Sequence, residues 1–215
     1  MITTVLFDMD GLLLDTEPLW GESMLKVAHQ HGIRITREQF KETTGLKIHE
    51  VTAYWAVRYP WQGASSEKVA EDILDDIIAL ACAKGRIMPG VWHTLSLLDS
   101  HHIQKGVASS SPTRMIKTLL SHFNLDQCFD TIVSADVVPW GKPHPAVFLE
   151  AASQLEANPL ECMVLEDSLN GMIAGKAARM KVVVVPDEKL YGHPGFSLAD
   201  AQLKSLEDFH LDLLQ

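Results

Sequence analysis

Apolar residues arrive along this chain in two rhythms. Short, nearly continuous runs occur at 3–8 (TTVLFD), 103–109 (IQKGVAS), 131–135 (TIVSA), 162–167 (CMVLED) and 181–186 (KVVVVP). Between the later runs lie 111–123, 144–155 and 168–179, where apolar positions recur every three or four residues. The first rhythm belongs to strands buried on both faces and the second to amphipathic helices. Their alternation predicts βα units around a parallel sheet.

The interval 14–88 keeps only the helical rhythm. PLWGESMLKVAHQHG, ITREQFKETTG, KIHEVTAYWAVRYP and SSEKVAEDILDDIIALACAKG each carry an apolar stripe and end at glycine or proline. Such a stretch is too long for a loop. The expected organisation is therefore a Rossmann-like α/β core, residues 1–13 and 89–215, with an α-helical domain, 14–88, inserted after the first strand. Pro89 suits the start of the helix that returns the chain to the sheet, with Val91, Leu95 and Leu98 as its buried face.

Each predicted strand ends in reactive chemistry. The first ends in Asp8, with Asp10 two positions on; the second ends in Ser109; the run at 162–167 ends in Glu166-Asp167; and Lys142 lies in a loop beyond the 131–135 run. Ligands of open α/β sheets bind beyond the carboxyl ends of strands, so these ends converge on one site. Clustered carboxylates are costly unless a cation or a proton intervenes. All-oxygen ligands at Asp8, Asp10, Glu166 and Asp167 favour Mg²⁺ over zinc or copper. Ser109, Ser110 and Lys142 supply the complement, hydroxyls near a helix start and an ammonium that suit phosphate. A metal, a phosphate site and a carboxylate nucleophile imply phosphoryl transfer.

Composition narrows the setting. With 28 acids against 18 bases, a formal charge of −10 and no basic patch, neither nucleic acid nor an anionic membrane is an expected partner. The three cysteines form no CxxC, which predicts no disulfide framework or zinc site and suits a reducing cytoplasm. MITTVLFDMD lacks the basic start of a leader, and no apolar run reaches the roughly 18 residues of a membrane span. A cytoplasmic monomer acting on a small molecule is expected.

FDMDG, ASSS, GKP and LEDS, in this order, resemble the motifs of the haloacid dehalogenase superfamily, and the helical insertion resembles its C1 cap. FDMDGLLLDTE, GKPHP and EDSLNGM further resemble the branch of β-phosphoglucomutase-like sugar phosphatases, which includes 2-deoxyglucose-6-phosphate and hexitol phosphatases. The resemblance covers essentially the whole chain. It implies Asp8 as nucleophile and Asp10 as general acid and base. It also implies Mg²⁺ on the Asp8 carboxylate, the Asp10 carbonyl and Asp167, with Glu166 as a further or water-mediated contact, and Ser109 and Lys142 on the phosphoryl oxygens. Asp10 argues for a phosphate ester, because dehalogenase and phosphonatase members have no alkoxide to protonate. Thr16, Glu17 and Lys47 are the expected cap contacts to a sugar or polyol, Lys47 from the loop Gly45-Leu46-Lys47. TGLKIHE lacks the arginine and serines expected of a mutase, which leaves the phosphosugar mutase as the second reading. A non-catalytic binding protein on the same fold is a third.

Duller roles compete for some of these residues. Asp-Gly is a common turn pair, Ser110 or Ser111 is expected to cap the next helix, and Ser168 to cap the one at 168–179. Gly171, Ala174, Gly175 and Ala178 read as close packing against the sheet. The histidines, His144 included, show no ligand spacing.

Overall fold

A computed structural model describes residues 1–36, 39, 43 and 46–215. Strands β1 (Thr4–Phe7), β2 (Gln104–Ser109), β3 (Thr131–Ser134), β4 (Cys162–Glu166), β5 (Lys181–Val184) and β6 (Ala201–Gln202) form one parallel sheet in the order β3-β2-β1-β4-β5-β6. Five coincide with the apolar runs. The short β6 has no such run, because only its pairing with β5 makes it a strand.

Successive side chains of a strand point to opposite faces, so each strand feeds two cores. Val5 and Phe7 of β1, with Val107 and Leu165, pack under α4 (Val91–Ser100) and α5 (Thr113–His122). Leu6, Ala108, Val164 and Val182 pack against α6 (Ala146–Gln154) and α7 (Leu169–Ala177). The sheet is thus covered on both sides, as parallel sheets require. Gly90, rather than Pro89, is the N-cap of α4; its φ of +82° and the backbone of Leu206 and Glu207 pressed against it leave no room for a side chain.

The segment between β1 and α4 is helical as expected, with α1 (Glu17–Gln30), α2 (Ile48–Arg58) and α3 (Ser66–Lys84). Most of the predicted helix ITREQFKETTG, and Gly45, lie outside the described residues. Met24, Val27, Ile48, Val51, Trp55, Val69 and Ile73 make a cluster of their own, while Leu19, Leu74, Ile77 and Ala81 join the main core. The chain enters and leaves this segment side by side: Met88 N–H donates to Leu13 O at 2.9 Å and Asp15 N–H to Arg86 O at 2.9 Å. Further links tie the helices to the core, among them Arg114 to Asp75 at 2.8 Å and to Glu71 at 3.3 Å and Lys47 Nζ to the carbonyl of Val138 at 3.0 Å.

Candidate active site

The centre of the sheet is where connections switch direction, with β2 and β3 on one side of β1 and β4 to β6 on the other. Phe7 lies beside Val107 and Leu165, so β1, β2 and β4 end nearly level and present Asp8, Ser109 and Glu166 to one crevice. Asp8 N–H still donates to Leu165 O at 3.0 Å; then Gly11, with φ +79°, turns the chain back. A side chain at Gly11 would meet Asp167, its Cβ 2.3 Å from Oδ2. This glycine is required by both its backbone and its neighbour.

Lys142 is at the middle of the crevice. Its Nζ donates to Asp8 Oδ1 at 2.5 Å and to Glu166 Oε1 at 2.7 Å, and lies 4.6 Å from the ring centroid of Phe148. All three charged groups are buried. Burial alone would favour a neutral lysine, but Asp8 and Glu166 outweigh it and hold Lys142 well above the usual lysine range. The second oxygen of Glu166 accepts from Ser168 N–H at 2.7 Å and Ser168 Oγ at 2.9 Å. Glu166 therefore orients Lys142 and is itself oriented by the start of α7, a role that the sequence motif does not reveal.

Gly171 makes this arrangement possible, since a Cβ there would lie 1.6 Å from Glu166 Oε1. The expected sheet packing applies to Gly175, whose Cβ would fall 2.7 Å from Val182. A Gly171→Ala variant should displace the Glu166 carboxylate and lower kcat about 10- to 100-fold, the usual cost of misplacing a reactive group by about 1 Å. Steady-state kinetics beside an unchanged far-ultraviolet spectrum would check this.

Asp8, Glu166 and Asp167 offer carboxylate oxygens that all lie within 4.8 Å of one another. Burial pushes Asp8 up from the usual aspartate range, with Glu166 and Asp10 adding to the rise and Lys142 opposing it. Burial likewise raises Asp167, reinforced by Glu166, Asp8 and Glu17. Three acids share one ammonium, so the donor set carries a surplus of negative charge suited to a hard cation.

Asp10 is held apart from that cluster. Its Oδ1 accepts from Thr16 Oγ1 at 2.5 Å and from Trp20 Nε1 at 3.1 Å, and its Oδ2 accepts from Ser111 Oγ at 2.6 Å. Two aspartates two residues apart thus have different partners, an ammonium for Asp8 and three neutral donors for Asp10. Thr16, expected to touch substrate, donates its hydroxyl to Asp10. Glu17 is exposed at the start of α1, close enough to Asp167 to raise it. Lys47 reaches the loop that carries Lys142: its ammonium is on Val138 O and its stem lies over Gly141.

Ser109 Oγ accepts from Ser111 N–H at 3.1 Å, which leaves its own proton to donate. Ser110 Oγ is buried without a hydrogen-bond partner. Neither Ser110 nor Ser111 caps α5, as the sequence suggested; the carboxylate of Asp136 does, accepting from Thr113 N–H at 2.9 Å. Ser109, at the end of β2, and Ser111, on Asp10, border the crevice. Ser168 does cap α7, accepting from Gly171 N–H at 3.0 Å. The sequence offers Ser111 only as a helix cap and Trp20 only as part of the start of the helical insertion beside Thr16 and Glu17, although Trp20 follows Thr16 by four residues, the spacing that places side chains on one helix face.

Known proteins resemble this chain in sequence and fold. Hexitol phosphatase B of Escherichia coli K12 is 42% identical over 208 residues, spanning 96% of this chain and 94% of its own. CbbY of Rhodobacter sphaeroides, solved with phosphate, superposes with a TM-score of 0.90 at 26% identity over 100% of this chain and 99% of its own. A β-phosphoglucomutase of Clostridium difficile superposes with a TM-score of 0.84 at 26% identity over 100% and 96%. The family described as haloacid dehalogenase-like hydrolase matches residues 5–185. By the family match and these relatives, the chain belongs to the haloacid dehalogenase-like hydrolases, as a phosphoric monoester hydrolase.

Proposed function

We propose that the protein is a Mg²⁺-dependent phosphatase of small sugar or polyol phosphates, working through an aspartyl-phosphate on Asp8. The observation that carries the proposal is the division between the two aspartates, Asp8 among buried charges and Asp10 among neutral donors. Asp8 attacks phosphorus in line, and the ester oxygen leaves with a proton from Asp10. Asp10 then takes a proton from water as that water attacks phosphorus and the bond to Asp8 breaks. Lys142 neutralises charge on the transferring group, while the Ser109 and Ser110 hydroxyls face its oxygens. The partnerless Ser110 hydroxyl supports this reading, since buried polar atoms ordinarily have a partner.

Asp8, Asp167, the Asp10 carbonyl and, through charge or a water, Glu166 would hold Mg²⁺, which supplies Lewis-acid stabilisation of the phosphoryl oxygens when bound. The 42% relative, named for hexitol phosphatase activity, favours a polyol or hexose phosphate as substrate. The helices of 14–88 would act as the cap, excluding water during transfer. A mutase is the second reading, favoured by the β-phosphoglucomutase likeness. Conversion of a sugar 1-phosphate to the 6-phosphate without net phosphate release would identify it.

Phosphate release from a panel of hexitol, hexose, deoxyhexose and pentose phosphates, scored by kcat/KM with Mg²⁺ and with a chelator, tests the assignment. Release from none of them in Mg²⁺ would overturn it. The acid cluster gives a second expectation. Asp167→Asn should raise the Tm in chelator, because it removes one buried like charge, and should abolish the rise in Tm on adding Mg²⁺. For the parent protein that rise corresponds to about 2.7 kcal/mol at a hundredfold excess over Kd.

A further inference from the structure

We propose that Trp20 is a positioning residue that fixes the orientation of the Asp10 carboxylate and makes Oδ2 the oxygen that gives and takes the proton. The inference rests on the assignment of Asp10 as acid and base. Its basis is the chemistry of the three donors. A hydroxyl can donate or accept, so Thr16 and Ser111 accommodate either form of the carboxyl group. An indole N–H only donates. Trp20 Nε1, 3.1 Å from Oδ1, and the Thr16 hydroxyl can both donate to Oδ1 when it is the unprotonated oxygen, and the indole donor cannot reverse, whereas a proton on Oδ2 meets only Ser111 Oγ, 2.6 Å away, which can turn to accept it.

Two further observations support this role. Thr16 is the N-cap residue of α1 yet makes no capping bond; its hydroxyl serves Oδ1 beside the indole. A residue of the favoured capping type has been diverted from that task. Trp20 also packs against both the main core and the cluster formed by α1, α2 and α3. Its indole is therefore fixed from two sides, and a fixed ring gives Oδ1 a fixed partner. In the first half-reaction the Oδ2 proton passes to the ester oxygen as the P–O bond to the alcohol breaks and the bond from Asp8 forms. In the second, Oδ2 receives a proton from the attacking water as the Asp8–phosphorus bond breaks.

The test uses two leaving groups. An alkyl phosphate such as a hexitol phosphate needs proton transfer to its leaving alcohol, while p-nitrophenyl phosphate releases p-nitrophenolate, a stable anion, without it. Because kcat/KM reports through departure of the leaving group, Trp20→Phe should lower kcat/KM for the alkyl ester about 10- to 100-fold. For the aryl ester it should stay within about threefold. Thr16→Val, which removes the other Oδ1 donor, should show the same selectivity and serves if Trp20→Phe fails to fold. Equal losses with both esters, or none with either, would overturn the positioning role. Asp10→Asn separates the two levels: selective loss there, without it in the donor variants, refutes only the role of Trp20. Undiminished alkyl-ester hydrolysis in Asp10→Asn refutes the acid-base assignment and this inference with it.

Discussion

Asp8→Asn should fold normally and lose phosphate release by roughly 10⁴-fold or more, the scale on which removing a nucleophile acts. The amide keeps the shape of the carboxylate but cannot form the aspartyl-phosphate. It also removes a negative charge from a buried cluster whose members raise one another, so stability should be kept or improved while activity disappears. Acid-quenched single turnovers would show labelled phosphate on the parent enzyme and none on the variant. Turnover within about tenfold of the parent would place the nucleophile elsewhere, since a rate difference that small corresponds to only about 1.4 kcal/mol.

Lys142→Met should give the largest loss of stability. Lys142 is the cation that both Asp8 and Glu166 face at 2.5 and 2.7 Å, and all three are buried. Removing one member of a buried ion pair costs about 3–5 kcal/mol, because the partner charge is left uncompensated. The loss should depend on pH with a definite sign. Burial already holds Asp8 above its ordinary value of 3.8, and without Lys142 the rise is larger. The folded state then binds a proton that the unfolded state has released, so the penalty is absent below the ordinary value and grows as pH rises past it. Denaturant titrations should show parent and variant converging at acid pH and diverging toward neutrality. Lys142→Met/Glu166→Gln should recover part of the loss, whereas an additive double variant would show that the ammonium and Glu166 do not interact.

The opening motif shows where reading the sequence stops. VLFD, with a second aspartate two residues on and a glycine directly after that, marks the end of a buried strand, and β1 ends there at Phe7. Five strands and the helices between them were legible for the same reason: two-sided burial requires unbroken apolar runs, and one-sided burial writes a three-to-four rhythm. The helices Glu17–Gln30, Ile48–Arg58 and Ser66–Lys84 between β1 and α4 were legible from the loss of the strand rhythm. Asp8, Asp10, Ser109 and Asp167 could be singled out because each stands at or just past a strand end, where topology collects ligands, and Lys142 because it lies in the loop that follows β3.

Partnership was not legible. Nothing local distinguishes Glu166 as the carboxylate that orients Lys142, because their contact spans 24 residues and depends on Gly171 leaving room. Nothing in ASSSP distinguishes Ser111, which reaches across 101 residues to Asp10, or shows that Asp136 takes over the capping for which the serines seemed suited. The sequence by itself determined which segments are strands and helices and which residue types stand at the strand ends, because periodicity and backbone propensity are local. Only the tertiary structure decided which donor meets which carboxylate oxygen, because hydrogen-bond partners separated by a hundred residues are chosen by packing and not by sequence spacing.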